Sequence, residues 1–342
     1  MSMKKISKWI SIALIGGLLL VGCSSKPATT ESTSAETTST ETTTEVVQHD
    51  PVDVTIGTGG TAGTYYVVAA AMSQAVSTNS DFLTATVQST KGSVENINLT
   101  NAGEIEFGFS NADGVYWATT GTGSYDGNEQ NISAVMSLYM SAGQMSTLKT
   151  SGIETYADLK GKKVCLGPPS TTIVEMSKAI LRAYGIDPET DIKPYYMAFD
   201  EGLSALTDGE IDATFFVGGI PTSAMLNASS QGNISMVKAS AEILDQVVAA
   251  NPFYSRFTIP AGTYNGVDED IDTLKIMTEI FANNDVPEDV VYEFVKESLE
   301  TRDTYLDSHD VVKEITPETA ASTMSRLHPG AEKYYREIGV IK

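Results

Sequence analysis

Short apolar runs alternate with amphipathic segments along most of the chain. Apolar runs bounded by Gly or Asn are typical of buried strands, and apolar positions at helical spacing are typical of helices. Strands that alternate with helices indicate parallel pairing through βαβ crossovers, and two such sets predict two α/β lobes. The predicted strands span 52–57, 83–89, 104–110 and 132–139 in the first set and 162–167, 192–197, 211–217 and 233–239 in the second.

The last part of the chain follows a different pattern, because beyond Pro260 the apolar residues recur at helical spacing. We predict helices at 270–284, 287–302, 317–327 and 331–339. The predicted organisation is a first lobe over 52–145, a second lobe over 146–257, and a return to the first lobe with C-terminal helices over 258–342.

The N-terminus has the pattern of an export signal. Three lysines among the first eight residues precede a 14-residue apolar run, Trp9–Gly22, which is short for a spanning helix and suits a signal sequence. The run ends in Leu-Val-Gly-Cys, which resembles the lipobox of bacterial lipoproteins. We predict a signal peptide over 1–22, cleaved before Cys23, whose lipid-modified thiol anchors the chain to the cell membrane. An ordinary signal peptide with an incidental cysteine is the alternative.

Ser, Thr and Glu dominate the segment after Cys23, and no aromatic residue occurs before Tyr65 in this part of the chain. Such a composition buries too little apolar surface to offset the entropy lost on ordering. We therefore predict that 23–51, which includes the lipidated cysteine, is a disordered tether that holds the folded part away from the lipid headgroups.

The chain is strongly acidic, with a formal net charge of −22, and the part after Gly22 carries −25 because three lysines precede it. This excess of acid argues against a nucleic-acid partner and against docking on anionic lipid by charge. Two cysteines and three histidines give no disulfide framework, no Cys-rich metal site and no recognisable triad, so we expect neither a metal nor a cofactor.

A Gly-rich loop at 57–63 follows a predicted strand and opens a predicted helix, as in dinucleotide-binding proteins. A carboxylate at the end of the next strand would then hold the ribose, but that strand ends in Gln-Ser-Thr-Lys. We therefore reject the nicotinamide hypothesis. The loop still places backbone N–H groups and a helix N-terminus where they face an anion, typically a carboxylate. A purely structural turn is the alternative.

Polar strand-end loops recur at 89–93, 110–113, 167–172 and 216–219. In open α/β sheets, ligands bind outside the carboxyl ends of the strands. Because these loops are spread over both predicted lobes, we expect one cleft between the lobes.

Several motifs together resemble the solute receptors of TRAP transporters of the TAXI family. The resemblance covers about Val52 to Ile341, and its motifs are VTIGTGGTAGTYY, STKGSVENI, LYMSAGQ, YADLKGKKV, DGEIDATFFVGGIPT, NPFYSRFTIPAGTYNG and LHPGAEKYYRE. It implies an α/β type II periplasmic-binding-protein fold, with two lobes on a hinge and a ligand cleft between them. It also implies delivery of a small organic acid or amino acid, glutamate-like for some members, to a permease of fused small and large subunits.

The chain departs from the family pattern in loops that the resemblance places at the ligand. Lys91 replaces the first Gly of a common Ser-Thr-Gly-Gly-Ser, and Ser170, Thr171 and Thr172 replace Gly-Ser-Gly. Asn111 replaces Gln, and Leu148 aligns with a basic residue. The identity of the ligand therefore stays open.

We expect the strand-end loops to donate hydrogen bonds to a carboxylate, Lys91 to supply a positive charge, and Tyr65 or Tyr66 to face the cleft. The predicted ligand-binding residues are Thr58, Gly59, Gly60, Thr61, Tyr65, Tyr66, Lys91, Gly92, Ser93, Asn111, Tyr139, Gln144, Ser170, Thr171, Thr172 and Gly218.

Other residues have simpler interpretations. Cys165 lies inside an apolar strand and is expected to pack in the core. His49 falls in the tether, His309 in a polar helix and His328 in a turn. The acidic stretches near 268–272 and 297–303 are solvated faces or a permease-docking surface. An enzyme or a sensory co-receptor on the same scaffold is the alternative function.

Overall fold

The computed structural model describes residues 49–169 and 171–342. The predicted signal peptide, Cys23 and Ser170 lie outside these residues, as does the predicted tether up to residue 48. In the described part, ten strands form one mixed sheet. They are β1 (Val52–Gly57), β2 (Leu83–Gln88), β3 (Phe107–Asn111), β4 (Ile132–Leu148), β5 (Lys163–Cys165), β6 (Lys193–Tyr195), β7 (Ala213–Gly218), β8 (Ile234–Met236), β9 (Ser255–Ile259) and β10 (Ile271–Asn283).

Helices connect the strands and cover the sheet. They are α1 (Thr64–Asn79), α2 (Ser93–Asn101), α3 (Ala112–Thr120), α4 (Thr172–Ala183), α5 (Phe199–Thr207), α6 (Ser223–Ser229), α7 (Ala241–Ala250), α8 (Glu288–Glu300), α9 (Pro317–Ala320) and α10 (Pro329–Glu337). No described helix combines the length and apolar character needed to cross a membrane.

The strand order is β2-β1-β3-β10-β4-β7-β5-β6, with β8 on β4 and β9 on β10. Pairing is parallel at both ends of this path, where β1 joins β2 and β3, and β5 joins β6 and β7. In the middle, β10 runs antiparallel to β3 and β4, and β4 runs antiparallel to β7. Two βαβ systems are therefore joined through two long antiparallel strands, whereas the sequence predicted parallel pairing alone.

The predicted helix at 270–284 is wrong, because Ile271–Asn283 forms β10. The spacing of Ile271, Leu274 and Phe281 also fits a helix, but β-branched residues recur in this segment and favour a strand. β10 pairs with β3 on one side and with β4 on the other. It is therefore buried along most of its length, and apolar and polar residues do not alternate strictly along it. The predicted helix at 317–327 is also shorter than expected and ends at Ala320.

The hydrophobic core divides into clusters that define the two lobes. One large cluster draws its members from Val54–Tyr139 and Ile280–Tyr335, and we call this part the first lobe. Two clusters of the second lobe together draw theirs from Met145–Ile276. The chain thus passes between lobes within β4 and again within β10. The return to the first lobe falls near 277–280 and not at 258, because residues 259–276 pack with the second lobe.

The last residues of the predicted tether pack on the first lobe. The ring of His49 stacks on Phe82 with centroids 4.3 Å apart, and its Nδ1 lies 3.1 Å from an Asp289 carboxylate oxygen. His49, which the sequence places in the predicted tether, therefore packs on the folded part.

Candidate ligand-binding site

A cavity of about 410 Å³ lies between the two lobes. The first lobe contributes residues of the loop at 59–65 and the turn at 90–93. The second lobe contributes Pro168, Pro169, Thr171, Ile173 and the segments 196–201 and 216–218. Each segment lies at or after the carboxyl end of a strand of the sheet, as expected for ligand sites in α/β folds. A groove of similar size, about 460 Å³, lies elsewhere along 116–132 and 324–326 and contains none of the predicted loops.

The loop before α1 leaves open space in the cavity. A methyl group on Gly60 would meet no atom within 4 Å, and one on Gly59 would touch only the Tyr65 ring at 4.0 Å. Among the described residues, none accepts a hydrogen bond from the N–H of Gly59, Gly60, Thr64 or Tyr65. These donors and the partial positive charge of the α1 N-terminus together favour an anion.

Thr64 adds a side-chain donor to this arrangement, which sequence analysis did not single out. It lines the cavity but is only 4% exposed. Its Oγ1 has no hydrogen-bond partner in the described part of the chain. A buried hydroxyl without a partner is energetically unfavourable unless a ligand or water completes it.

Tyr65, and not Tyr66, lines the cavity. Its ring packs against Phe109 with centroids 5.4 Å apart, and its hydroxyl donates to Asn111 Oδ1 at 2.7 Å. Burial raises the pKa of this hydroxyl well above its ordinary value. Asn111 Nδ2 in turn donates to Thr172 Oγ1 at 3.1 Å, so this chain of bonds crosses from the first lobe to the second.

Asp113 is a second buried group at the lobe junction. It is 1% exposed, and burial raises the pKa of its carboxyl to about 7. Its Oδ1 accepts from the Gly114 N–H at 2.7 Å, and Tyr254 of the second lobe donates to Oδ2 at 3.4 Å. Its place in the first turn of a helix directly after a buried strand was the sequence signal that could have identified it.

The structure brings eight predicted residues to the cavity wall: Gly59, Gly60, Tyr65, Lys91, Gly92, Ser93, Thr171 and Gly218. Ser170 lies outside the described residues. Seven predicted residues do not line this cavity: Thr58, Thr61, Tyr66, Asn111, Tyr139, Gln144 and Thr172.

Three of these seven are fully buried behind the site. Thr58 Oγ1 donates to the Gln88 carbonyl at 2.8 Å and so shapes the loop. Tyr139 and Gln144 lie on β4, which is covered on both faces, and neither is exposed to solvent. Tyr264 donates to Gln144 Oε1 at 2.7 Å. Neither residue lines this cavity, because β4 is an interior strand, and a contact of Tyr139 or Gln144 with the ligand stays a prediction.

The turn at 90–93 depends on a glycine. Gly92 has a φ of 105°, which residues with a Cβ rarely adopt. It is the N-cap of α2, and Ser93 is the first helical residue. Lys91 is exposed at the rim, and its backbone N–H donates to Glu95 Oε2 at 2.6 Å. The Glu95 carboxylate thus binds the backbone of this turn.

The second-lobe wall is mainly apolar, and sequence analysis missed it. Phe199 and Phe216 stack with ring centroids 3.6 Å apart. Gly218 makes room for this pair, because a methyl there would lie 2.4 Å from the Phe216 ring. Gly218 therefore supports the wall by its lack of a side chain.

The cysteine and two of the histidines have structural roles. Cys165 is 1% exposed and belongs to a core cluster of the second lobe. His309 Nδ1 accepts from the Val311 N–H, and His328 Nδ1 accepts from the Gly330 N–H. Both histidines cap helical turns in this way. Within the described ranges, no three His, Cys, Asp or Glu side chains are grouped to hold a metal ion.

The sequence profile of the NMT1-like family matches residues 56–339. The chain belongs to the NMT1-like family. The NMT1-like profile covers both lobes and every segment that lines the cavity. The family description names no type of transporter, so the TAXI assignment stays a prediction.

Solved structures share the fold of this NMT1-like protein. The alkanesulfonate-binding protein SsuA from Xanthomonas axonopodis pv. citri, bound to MOPS, is 13% identical, with a TM-score of 0.51 over 84% of this chain and 85% of that one. A protein from Bordetella bronchiseptica RB50 is 15% identical, with a TM-score of 0.51 over 84% and 81%. A periplasmic transporter is 13% identical, with a TM-score of 0.51 over 84% and 92%. These similarities confirm the predicted two-lobed α/β fold.

Proposed function

We propose that this NMT1-like protein is the extracytoplasmic solute receptor of a TAXI-type TRAP transporter. It captures a small organic acid or amino acid in the interlobe cavity, and the family resemblance favours a glutamate-like carboxylate. It then delivers the ligand to a membrane permease of fused small and large subunits. The fold shared with periplasmic binding proteins supports a receptor, and the TAXI-like motifs support this type of transporter.

The observation that carries the proposal is the polar wall of the first lobe. Open N–H groups at Gly59 and Gly60, the N-terminus of α1 and the unpartnered Thr64 hydroxyl converge on one interlobe cavity. A carboxylate accepts hydrogen bonds at two oxygens, and each charge-assisted bond is worth about 1.5–3 kcal/mol net. Three such bonds, less the free energy of lobe closure, give a dissociation constant in about the micromolar range.

Local donors are required because the overall field opposes an anion. The whole chain carries a net charge of −22, so it repels anionic ligands at long range. Attraction must arise inside a cavity that excludes water, where hydrogen bonds to a charged group are strongest.

We propose that Cys23 is the lipid anchor and that the segment from 24 to 48 tethers the lobes to the cell membrane. We assign 52–139 and 280–342 to the first lobe and 145–276 to the second, with the hinge in β4 and β10. Asn111–Thr172 and Asp113–Tyr254 link the lobes, and closure on a ligand would present one composite surface to the permease.

Isothermal titration calorimetry of the mature chain against amino acids and small mono- and dicarboxylates tests the proposal. We expect at least one ligand with a micromolar or tighter dissociation constant, and we expect Thr64→Val to weaken it at least fivefold. Thr61→Val is the matched control, because Thr61 is exposed on the same loop. A folded protein that binds none of these acids would refute the receptor proposal. Equal affinity of both variants would place the site elsewhere.

A further inference from the structure

The two walls of the interlobe cavity differ in chemistry. The first-lobe wall presents backbone donors at Gly59 and Gly60 and the Thr64 hydroxyl. The facing second-lobe wall includes the apolar side chains of Ile173, Met197, Phe199 and Phe216. A ligand that fills the space between them therefore has one end among hydrogen-bond donors and the other against apolar side chains.

The apolar wall has a defined shape. Phe216 is 8% exposed and stacks on the partly buried Phe199 with planes inclined by 13°. The absence of a side chain at Gly218 allows the Phe216 ring to occupy this position. The pair forms a flat apolar surface at the cavity, and such a surface binds an aliphatic or aromatic group by excluding water.

Charges along the cavity oppose a second anionic group. The charged residues that line it are Lys91, Asp200 and Glu201, and all three are exposed. Asp200 and Glu201 belong to the same second-lobe segment as Phe199. No lining residue of the second lobe is a lysine or an arginine. A carboxylate placed against this wall would lose its hydration without gaining a cationic partner.

We propose, building on the receptor function above, that the ligand has one anionic head group and an apolar body. The head group binds the donors of the first lobe, and the body packs on Phe199 and Phe216. A dicarboxylate such as glutamate or glutarate is then a poor ligand, because its distal carboxylate meets an apolar wall bordered by acidic residues. The proposal narrows the substrate class that the motif resemblance alone leaves open.

Calorimetry with glutarate and 5-methylhexanoate tests this proposal on the wild-type mature chain. The two molecules have the same number of non-hydrogen atoms and differ by replacement of one carboxylate with an isopropyl group. We expect 5-methylhexanoate to bind at least tenfold more tightly. Equal or tighter binding of glutarate would overturn the proposal and leave the receptor function standing. Binding of neither compound, nor of leucine, glutamate or the sulfonate probe described next, would overturn both.

A third probe, 4-methylpentane-1-sulfonate, separates the head group from the body. Binding of this sulfonate without binding of 5-methylhexanoate would support the apolar-body proposal and contradict a carboxylate receptor. Binding of glutarate in preference to both branched probes would reject the apolar body.

Phe199→Ala tests the assigned wall directly. We expect it to weaken 5-methylhexanoate at least fivefold and to change glutarate binding less than twofold. The control is Phe257→Ala, because Phe257 is a partly exposed aromatic residue on β9 that does not line the cavity. Thermal unfolding of both variants checks that they fold. A folded Phe199→Ala variant that binds 5-methylhexanoate with wild-type affinity would overturn the assignment.

Discussion

Asp113 makes the stability of the protein depend on pH in a direction opposite to that of most carboxylates. Burial at the lobe junction raises the pKa of its carboxyl from 3.8 to about 7, and the groups around it include the Gly114 N–H, the Thr172 side chain and the Tyr254 hydroxyl. Asp113→Asn replaces the carboxyl with a neutral group of the same shape. The amide oxygen still accepts from Gly114, and its NH₂ group faces the Tyr254 oxygen.

The sign follows from the protons bound by each state. Between pH 5 and pH 7, Asp113 is ionised in the unfolded chain and protonated in the folded one, so the unfolded state binds fewer protons. The free energy of unfolding therefore falls as pH rises, by about 1.4 kcal/mol per pH unit. Across this window the loss is about 3 kcal/mol. At the usual unfolding entropy per residue, this corresponds to about 5 °C in Tm for a body of this size.

Asp113→Asn removes this loss. The free energy of unfolding of the variant minus that of the wild type therefore rises by about 3 kcal/mol from pH 5 to pH 8. Urea unfolding of both proteins at the two pH values measures it. Asp126→Asn is the control, because Asp126 is exposed in a loop and its substitution removes no buried charge. Glu279 is also buried, with its pKa raised from 4.5 to about 7, and Glu279→Gln should act in the same direction. An Asp113→Asn advantage that does not change with pH would refute the reasoning.

Three further substitutions test the site. Tyr65→Phe removes the donor to Asn111 Oδ1 and should lower the free energy of unfolding by about 1–2 kcal/mol; an unchanged urea midpoint would contradict this. Lys91→Ala should change the dissociation constant less than threefold, because the side chain is exposed and solvent screens its charge; calorimetry showing a tenfold loss would place the ammonium in the cleft. Gly218→Ala should displace the Phe216 ring and weaken an apolar ligand about tenfold, or 1.4 kcal/mol, and unchanged affinity would show that the ring position is unimportant.

Much of the fold was predictable because β1, β2, β5 and β7 are short apolar runs separated by helices. β10 was not, because a strand paired on both sides loses the alternation that distinguishes it from a helix. Its partners β3 and β4 are remote in sequence. The information that makes this segment a strand therefore lies in its pairing with β3 and β4 and not in its own sequence.

The polar half of the site was predictable and the apolar half was not. Gly59, Gly60, Gly92 and Ser93 stand in loops whose composition indicates backbone exposure. Phe199 and Phe216 belong to a helix start and a strand end, and apolar residues at such places usually pack in a core. Only the fold shows that their stacked rings border a cavity. Tyr139 is predicted to contact the ligand from its motif, and the motif does not reveal that β4 is an interior strand.

The irregular pairing of β4 with β10 limits how the lobes can move. The register between the two strands shifts between Met277 and Glu279 and again between Ile280 and Phe281, where both strands pass from one lobe to the other. Irregularities of this kind bend a strand and increase its twist. Hydrogen bonds join β4 and β10 on either side of the place where they pass between the lobes. These bonds keep the lobes from sliding past each other but permit the lobes to rotate about one axis that runs across the two strands. Opening would therefore have essentially one degree of freedom. The cavity would then open in a single cooperative step, in which the Asn111–Thr172 and Asp113–Tyr254 hydrogen bonds break together.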